Sequence, residues 1–299
     1  MEKPIRGPLA ALLTPRLDSG AVNLEAIERN VELILEKGGT GLVLTGGTGE
    51  YFDLSLDQRR AILERAAAVN AGRGVLVASI GAATLHEVIA LAEHALQTGA
   101  DVLLLPPPHF YRYQQTDIEA FYRAAASAIH GPILIYNLAG FVSPIDPDTI
   151  VRLVEKTPNL IGVKDSSGSL ASLEKLSQAD FPSCRVLGND KVLVEALRRN
   201  LLDAVISGPT SVVPEVTVAL FEAAAVGDQD RFDRLGKLFD EAIEQFEVMP
   251  YPWALKTVAE VRGLFPAQLP FPPGPDREAQ LAELRGWLDA WLPRLARLG

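Results

Sequence analysis

Leu160-Ile161-Gly162-Val163-Lys164-Asp165 is an apolar run that ends on a lysine. A strand that apolar must be buried on both faces, as in a parallel sheet covered by helices. Working outward, seven further short runs rich in β-branched residues read as strands, at 5–13, 41–45, 75–80, 101–105, 132–136, 185–187 and 204–206, around this one at 160–164. Amphipathic stretches of helical period lie between them: 24–36 after Asn23, 56–70 after Ser55, 85–97 after Thr84 and 118–129 after Asp117. Each begins beside a side-chain oxygen able to cap a first turn, and several end at glycine, as at Gly38 and Gly99. Strands alternating with helices predict a parallel α/β sheet. An open, doubly wound sheet would fit the same alternation, but no Gly-x-Gly-x-x-Gly fingerprint follows any strand. The eight units therefore predict a closed (β/α)8 TIM barrel.

Beyond the eighth strand come helical patterns near 215–225, 228–247 and 252–263, a proline-rich segment at 266–275 and a last helix at 276–292. That helix carries an apolar stripe, Leu281, Leu284, Trp287, Leu288 and Trp291, which needs a surface to bury against. The expected organisation is a catalytic barrel over 1–225 and a C-terminal helical extension over 226–299 packed on it, with a subunit contact as the other use of the stripe. A chain of 299 residues with 48% hydrophobic content can bury a core of that size. Its formal charge of -10 and pI near 5.0 argue against nucleic acid or an anionic membrane as partner. Met1-Glu2-Lys3-Pro4-Ile5-Arg6 opens without an apolar leader, and no later run reaches bilayer-spanning length, so a cytoplasmic protein is expected. Cys184 stands alone and reads as a small hydrophobe, and His86, His94, His109 and His130 have no ligand spacing, so no metal site is expected.

Barrel enzymes carry their reactive groups at the C-terminal ends of the strands. Lys164 sits there. A buried ammonium is costly, and desolvation favours the neutral amine, the form that adds to a ketone to make an imine. The alternatives are a lysine that snorkels to the barrel mouth or pairs with Asp165. Lys37, Lys156, Lys175, Lys191 and Lys256 fall in helical stretches or at their ends, where a solvated charge is the expectation. The fifth strand ends Ile135-Tyr136-Asn137, so a phenol stands on the neighbouring strand end, as a proton shuttle or as a rim aromatic. The second ends in Thr45-Gly46-Gly47-Thr48-Gly49-Glu50, a turn whose backbone N–H groups can hold a small anion or simply reverse the chain. Without a Gly-Lys-Ser/Thr ending it is not a nucleotide P-loop.

Taken together, the glycine-rich turn, the Tyr136-Asn137 strand end and Gly162-Val163-Lys164 resemble the family of dihydrodipicolinate synthase and N-acetylneuraminate lyase, which also holds sugar-acid aldolases and 5-keto-4-deoxyglucarate dehydratases. The resemblance runs from about Ile5 to the end. It implies a homo-oligomer, dimer or tetramer, working without metal or organic cofactor on a small 2-oxo acid. It assigns Lys164 as the Schiff-base lysine and Tyr136 as proton donor and acceptor. Gly47 and Thr48 would hold the substrate carboxylate, Ile206 would shape the pocket beside the imine, and Gly188 and Asn189 would face the variable part of the substrate.

The departures narrow the role. Dihydrodipicolinate synthases usually carry a pair of threonines where this chain has Gly47-Thr48, and an arginine at the place of Phe141. Their second relay tyrosine aligns with Phe110, with Tyr111 one place later in Pro107-Pro108-His109-Phe110-Tyr111. Losing a bidentate guanidinium removes a carboxylate clamp. The turn followed by Tyr51-Phe52 is similar to sugar-acid dehydratases. The expected activity is therefore a 2-keto-3-deoxy sugar acid aldolase, the alternatives being 4-hydroxy-tetrahydrodipicolinate (dihydrodipicolinate) synthase, a 5-keto-4-deoxyglucarate-type dehydratase, or a non-catalytic paralogue that binds the 2-oxo acid.

Overall fold

The computed structural model describes residues 5–298; Met1 to Pro4, part of the segment read for a leader, lie outside the described residues. Eight parallel strands close on themselves in sequence order. They are β1 (Gly7–Ala11), β2 (Gly41–Leu44), β3 (Val75–Ser79), β4 (Val102–Leu105), β5 (Ile133–Asn137), β6 (Leu160–Asp165), β7 (Cys184–Leu187) and β8 (Ala204–Ser207). The helices that follow them in turn are α1 (Leu24–Glu36), α2 (Leu56–Asn70), α3 (Leu85–Gln97), α4 (Gln115–Ala128), α5 (Pro147–Lys156), α6 (Ala171–Ser177), α7 (Leu193–Arg198) and α8 (Pro214–Val226). Three more complete the chain: α9 (Gln229–Phe246), α10 (Tyr251–Val261) and α11 (Pro275–Trp291). Among the described residues no helix is long and apolar enough to cross a membrane.

Local chemistry sets the helix starts. Asn23 accepts the Ala26 N–H at 3.0 Å. Ser55 with Gln58, and Thr84 with Glu87, form reciprocal capping boxes that satisfy the otherwise orphaned N–H groups of a first turn. α4 starts earlier than the pattern suggested. Asp117 is not its cap but lies in its first turn, where its carboxylate accepts the Gln114 N–H at 3.0 Å.

Strand alternation sorts side chains into two cores. One fills the barrel lumen with Leu9, Val43, Val77, Leu104, Leu134, Val186 and Ile206, and the other lies between strands and helices. Leu281, Leu284, Leu288 and Trp291 of α11 are buried in the outer core, where Trp287 stacks on Trp291 at 5.2 Å and both meet Phe246 edge-on. The proline-rich segment is tied back by Phe271, whose ring meets Trp253 at 5.1 Å.

Candidate active site

Parallel register places the two candidate groups side by side. Tyr136 pairs with Lys164 across β5 and β6, and Lys164 with Val186 across β6 and β7, so all three face the lumen at its C-terminal end. The Lys164 Nζ donates to the Tyr136 hydroxyl at 3.0 Å and stands 4.1 Å from the ring centroid. Lys164 is 3% exposed and Tyr136 4%, so the amine does not snorkel out and the phenol is no rim aromatic. Nor does Lys164 pair with Asp165, which alternation turns to the outer face. There the carboxylate accepts the Asn137 amide at 3.1 Å and the Ser167 N–H at 2.8 Å, while Asn137 accepts the Ile145 N–H at 3.1 Å. This outer bracket fixes the two strand ends on which Tyr136 and Lys164 sit.

The turn after β2 lies against the phenol. A Cβ built on Gly47 would stand 3.6 Å from the Tyr136 hydroxyl. Thr45 and Glu50 adopt left-handed backbone, at φ 49° and 54°, and the turn closes through Glu50 N–H to Gly47 O at 3.0 Å and Tyr51 N–H to Gly46 O at 3.2 Å. Thr14 adds a hydroxyl donated to the Gly49 carbonyl at 2.8 Å. Among the described residues, no acceptor takes the N–H groups of Gly47 and Thr48 or the Thr48 hydroxyl. Adjacent unpaired donors of this kind suit a carboxylate.

Other positions fall differently. Ile206 is fully buried in the lumen cluster that contains Tyr136. Gly188 backs the lysine: a Cβ there would lie 2.6 Å from Lys164 Cε and 2.2 Å from Ser166 Oγ. Asn189 turns its side-chain oxygen to the Lys191 N–H at 3.1 Å, starting a single helical turn. Phe110, Tyr111 and Phe141 lie on the loops after β4 and β5, at 88%, 69% and 88% exposure, outside the buried cluster around Tyr136.

The sequence expectations give no site role to several polar groups at this mouth. Asp190 follows β7 and is 5% exposed. It accepts the Tyr251 hydroxyl at 2.8 Å and lies beside the Ser207 hydroxyl and the Gly208 backbone, while among the described residues the buried Ser166 hydroxyl has no hydrogen-bond partner. Burial pushes the Asp190 carboxyl up to about 6, against the opposing pull of the Ser207 and Tyr251 hydroxyls and the Lys164 charge. Tyr51 carries the Arg59 guanidinium over its ring at 5.5 Å, and burial raises its hydroxyl, with the Arg59 charge opposing and the nearby Tyr136 phenol adding to the effect. Lys256 corrects the expectation of a solvated charge: it is 1% exposed and ion-paired with the buried Glu50 of the turn. Helical period marks Lys256 only as a member of the stretch at 252–263 and leaves Tyr251 just before it, so nothing local points either at the barrel mouth.

A closed (β/α)8 barrel with a buried amine against a phenol at its C-terminal mouth is the equipment of a class I aldolase-type lyase. Residues 4–290 match the dihydrodipicolinate synthetase family. The 4-hydroxy-tetrahydrodipicolinate synthase of Laribacter hongkongensis is 30% identical over 265 residues, covering 86% of this chain and 90% of that protein. The enzyme of the same name from Thiobacillus denitrificans is 32% identical over 274 residues, covering 89% and 90%. Among solved structures, the 4-hydroxy-tetrahydrodipicolinate synthase of Methylacidiphilum fumariolicum SolV superposes with a TM-score of 0.89 at 26% identity, over 98% of this chain and 99% of that one. The N-acetylneuraminate lyase of Mycoplasma synoviae shares the fold, with a TM-score of 0.84 at 22% identity over 96% and 98%. The chain belongs to the dihydrodipicolinate synthetase family, and with it to the imine-forming lyases.

Proposed function

We propose that Lys164 forms the imine with a pyruvate-type 2-oxo acid and that Tyr136 moves the protons. The contact between Lys164 Nζ and the Tyr136 hydroxyl at 3.0 Å carries this reading. Nζ adds to the C2 carbonyl carbon while the oxygen takes a proton from the phenol; loss of water then leaves a protonated imine. In cleavage the C3–C4 electron pair flows into the imine, giving an enamine, and the C4 hydroxyl returns its proton to Tyr136 as the aldehyde leaves. Protonation at C3 and hydrolysis release pyruvate. The free N–H groups of Gly47 and Thr48 hold the C1 carboxylate throughout.

The substrate class proposed is a 2-keto-3-deoxy sugar acid. Two observations favour it: the exposed Phe141 at the place of a carboxylate-binding arginine, and the Ser166 hydroxyl beside Lys164, which has no partner among the described residues and suits a hydroxyl group on a longer chain. The second reading is 4-hydroxy-tetrahydrodipicolinate synthase, which the names of the sequence relatives favour over the first. Borohydride trapping with pyruvate is the first test. A pyruvyl adduct on Lys164, absent from Lys164→Ala, is expected; a folded protein that takes no label there refutes the imine. Turnover of 2-keto-3-deoxy acids against condensation of pyruvate with aspartate semialdehyde then separates the two substrates. Faster condensation with the semialdehyde would replace the sugar-acid reading by the synthase.

A further inference from the structure

α10 belongs to the C-terminal extension, yet its side chains reach three loops at the barrel mouth. Tyr251 donates to Asp190 after β7. Tyr251 and Leu255 close on Gly208 after β8, where an added Cβ would meet them at 2.8 and 2.7 Å. Lys256 forms a buried ion pair with Glu50, at 2% and 5% side-chain exposure, in the turn after β2. Buried ion pairs are a poor source of stability, because desolving two charges offsets most of their attraction and apolar groups of the same shape serve as well. These two charges therefore call for another account, and the place of Glu50 supplies one. Its N–H closes on the Gly47 carbonyl, in the peptide that also carries the Thr48 N–H, so a shift of Glu50 is passed to the turn's free donors.

We propose that Lys256 and Glu50 are a positioning pair for the carboxylate site of the turn at 46–49, in which Lys256 both pins the turn and cancels an anion buried behind an anion-binding site. The inference rests on the reading of that turn as the substrate-carboxylate site. Charge makes it specific. Removing Lys256 alone leaves an uncompensated carboxylate that repels the substrate's own, whereas removing the Glu50 charge alone leaves a cation that attracts it. A pair that served stability alone would weaken binding, if at all, in the same direction from either side.

The readout is the pyruvate concentration giving half-maximal borohydride labelling of Lys164 in the full-length protein at neutral pH. Lys256→Met is expected to raise it about tenfold or more with labelling still complete at saturation, and Glu50→Gln to lower it. The double substitution, which leaves no buried charge, is expected to return to within about threefold of wild type. If Lys256→Met does not fold, Glu50→Gln decides by itself, since it must fall below both the wild type and the double variant. Single variants that shift in the same direction, an unchanged Lys256→Met, or a Glu50→Gln at or above wild type overturn the positioning role. Wild-type protein that takes no label at Lys164 overturns the reading of the site, and this inference with it.

Discussion

Asp190 shows how much one side chain at the mouth can cost. Its carboxyl titrates at about 6 in the folded chain, against 3.8 for an unperturbed aspartate, because it is buried. The folded state thus holds this proton more tightly than the unfolded chain does. The ionised carboxylate therefore costs stability in full above about pH 6, and the cost fades as the pH falls toward 3.8. The interval corresponds to about 3 kcal/mol. Asp190→Asn keeps an oxygen for the Tyr251 hydroxyl and removes the charge. It is expected to raise unfolding stability at pH 8 by about 1–3 kcal/mol, with the gain shrinking as the pH is lowered to 5. Denaturant titrations of the two proteins at both pH values measure this, and a gain that stays constant would mean that Asp190 titrates like an exposed acid.

β6 and β7 show why an element that carries a reactive side chain needs room around it. A Cβ at Gly162 would strike the Cys184 carbonyl oxygen at 2.0 Å, so the two strands approach as they do because that position is bare. Gly188 does the same for the lysine stem. Gly188→Ala is expected to leave the fold intact, since the atoms that must yield are the far part of a lysine and a serine hydroxyl, but to slow adduct formation about a hundredfold by moving Nζ off its line. Comparing borohydride labelling rates with circular dichroism tests both halves; normal labelling would show that the stem has slack. Elements of this kind were legible where their signals are local. The caps at Asn23, Ser55 and Thr84, the apolar run before Lys164 and the Tyr136-Asn137 strand end all lie within a few residues of what they specify. α6 and α7 are too short to show a period, and Lys256 finds Glu50 206 positions away, which no local pattern encodes. Asp190 meets Tyr251 across 61 positions for the same reason: only closure of the barrel and the return of α10 bring them together.

At the scale of the whole molecule, the C-terminal rim carries Phe52, Phe110, Tyr111 and Phe141 at 74%, 88%, 69% and 88% exposure. The loops after β4 and β5 are stitched together by the Tyr113 N–H to Ser143 Oγ bond at 2.8 Å, so the last three rings belong to one connected surface. Phe110 also holds a left-handed backbone at φ 81°, a conformation that bulky residues keep only where surroundings impose it. Exposed aromatic groups on stitched, strained loops mark a surface used for association. We propose that a second copy of the chain covers these rings, making the protein a dimer or tetramer. A net charge of -10 opposes association between copies, so the apolar contact has to outweigh it, and salt should favour assembly by screening that repulsion. Sedimentation of the wild type is expected to give a dimer or tetramer, and Phe110→Asp with Tyr111→Asp a smaller species of unchanged circular dichroism. If the wild type sediments as a monomer at moderate salt, the rings serve another partner. If the aspartates leave a larger wild-type assembly unchanged, the subunit contact lies elsewhere, away from these rings.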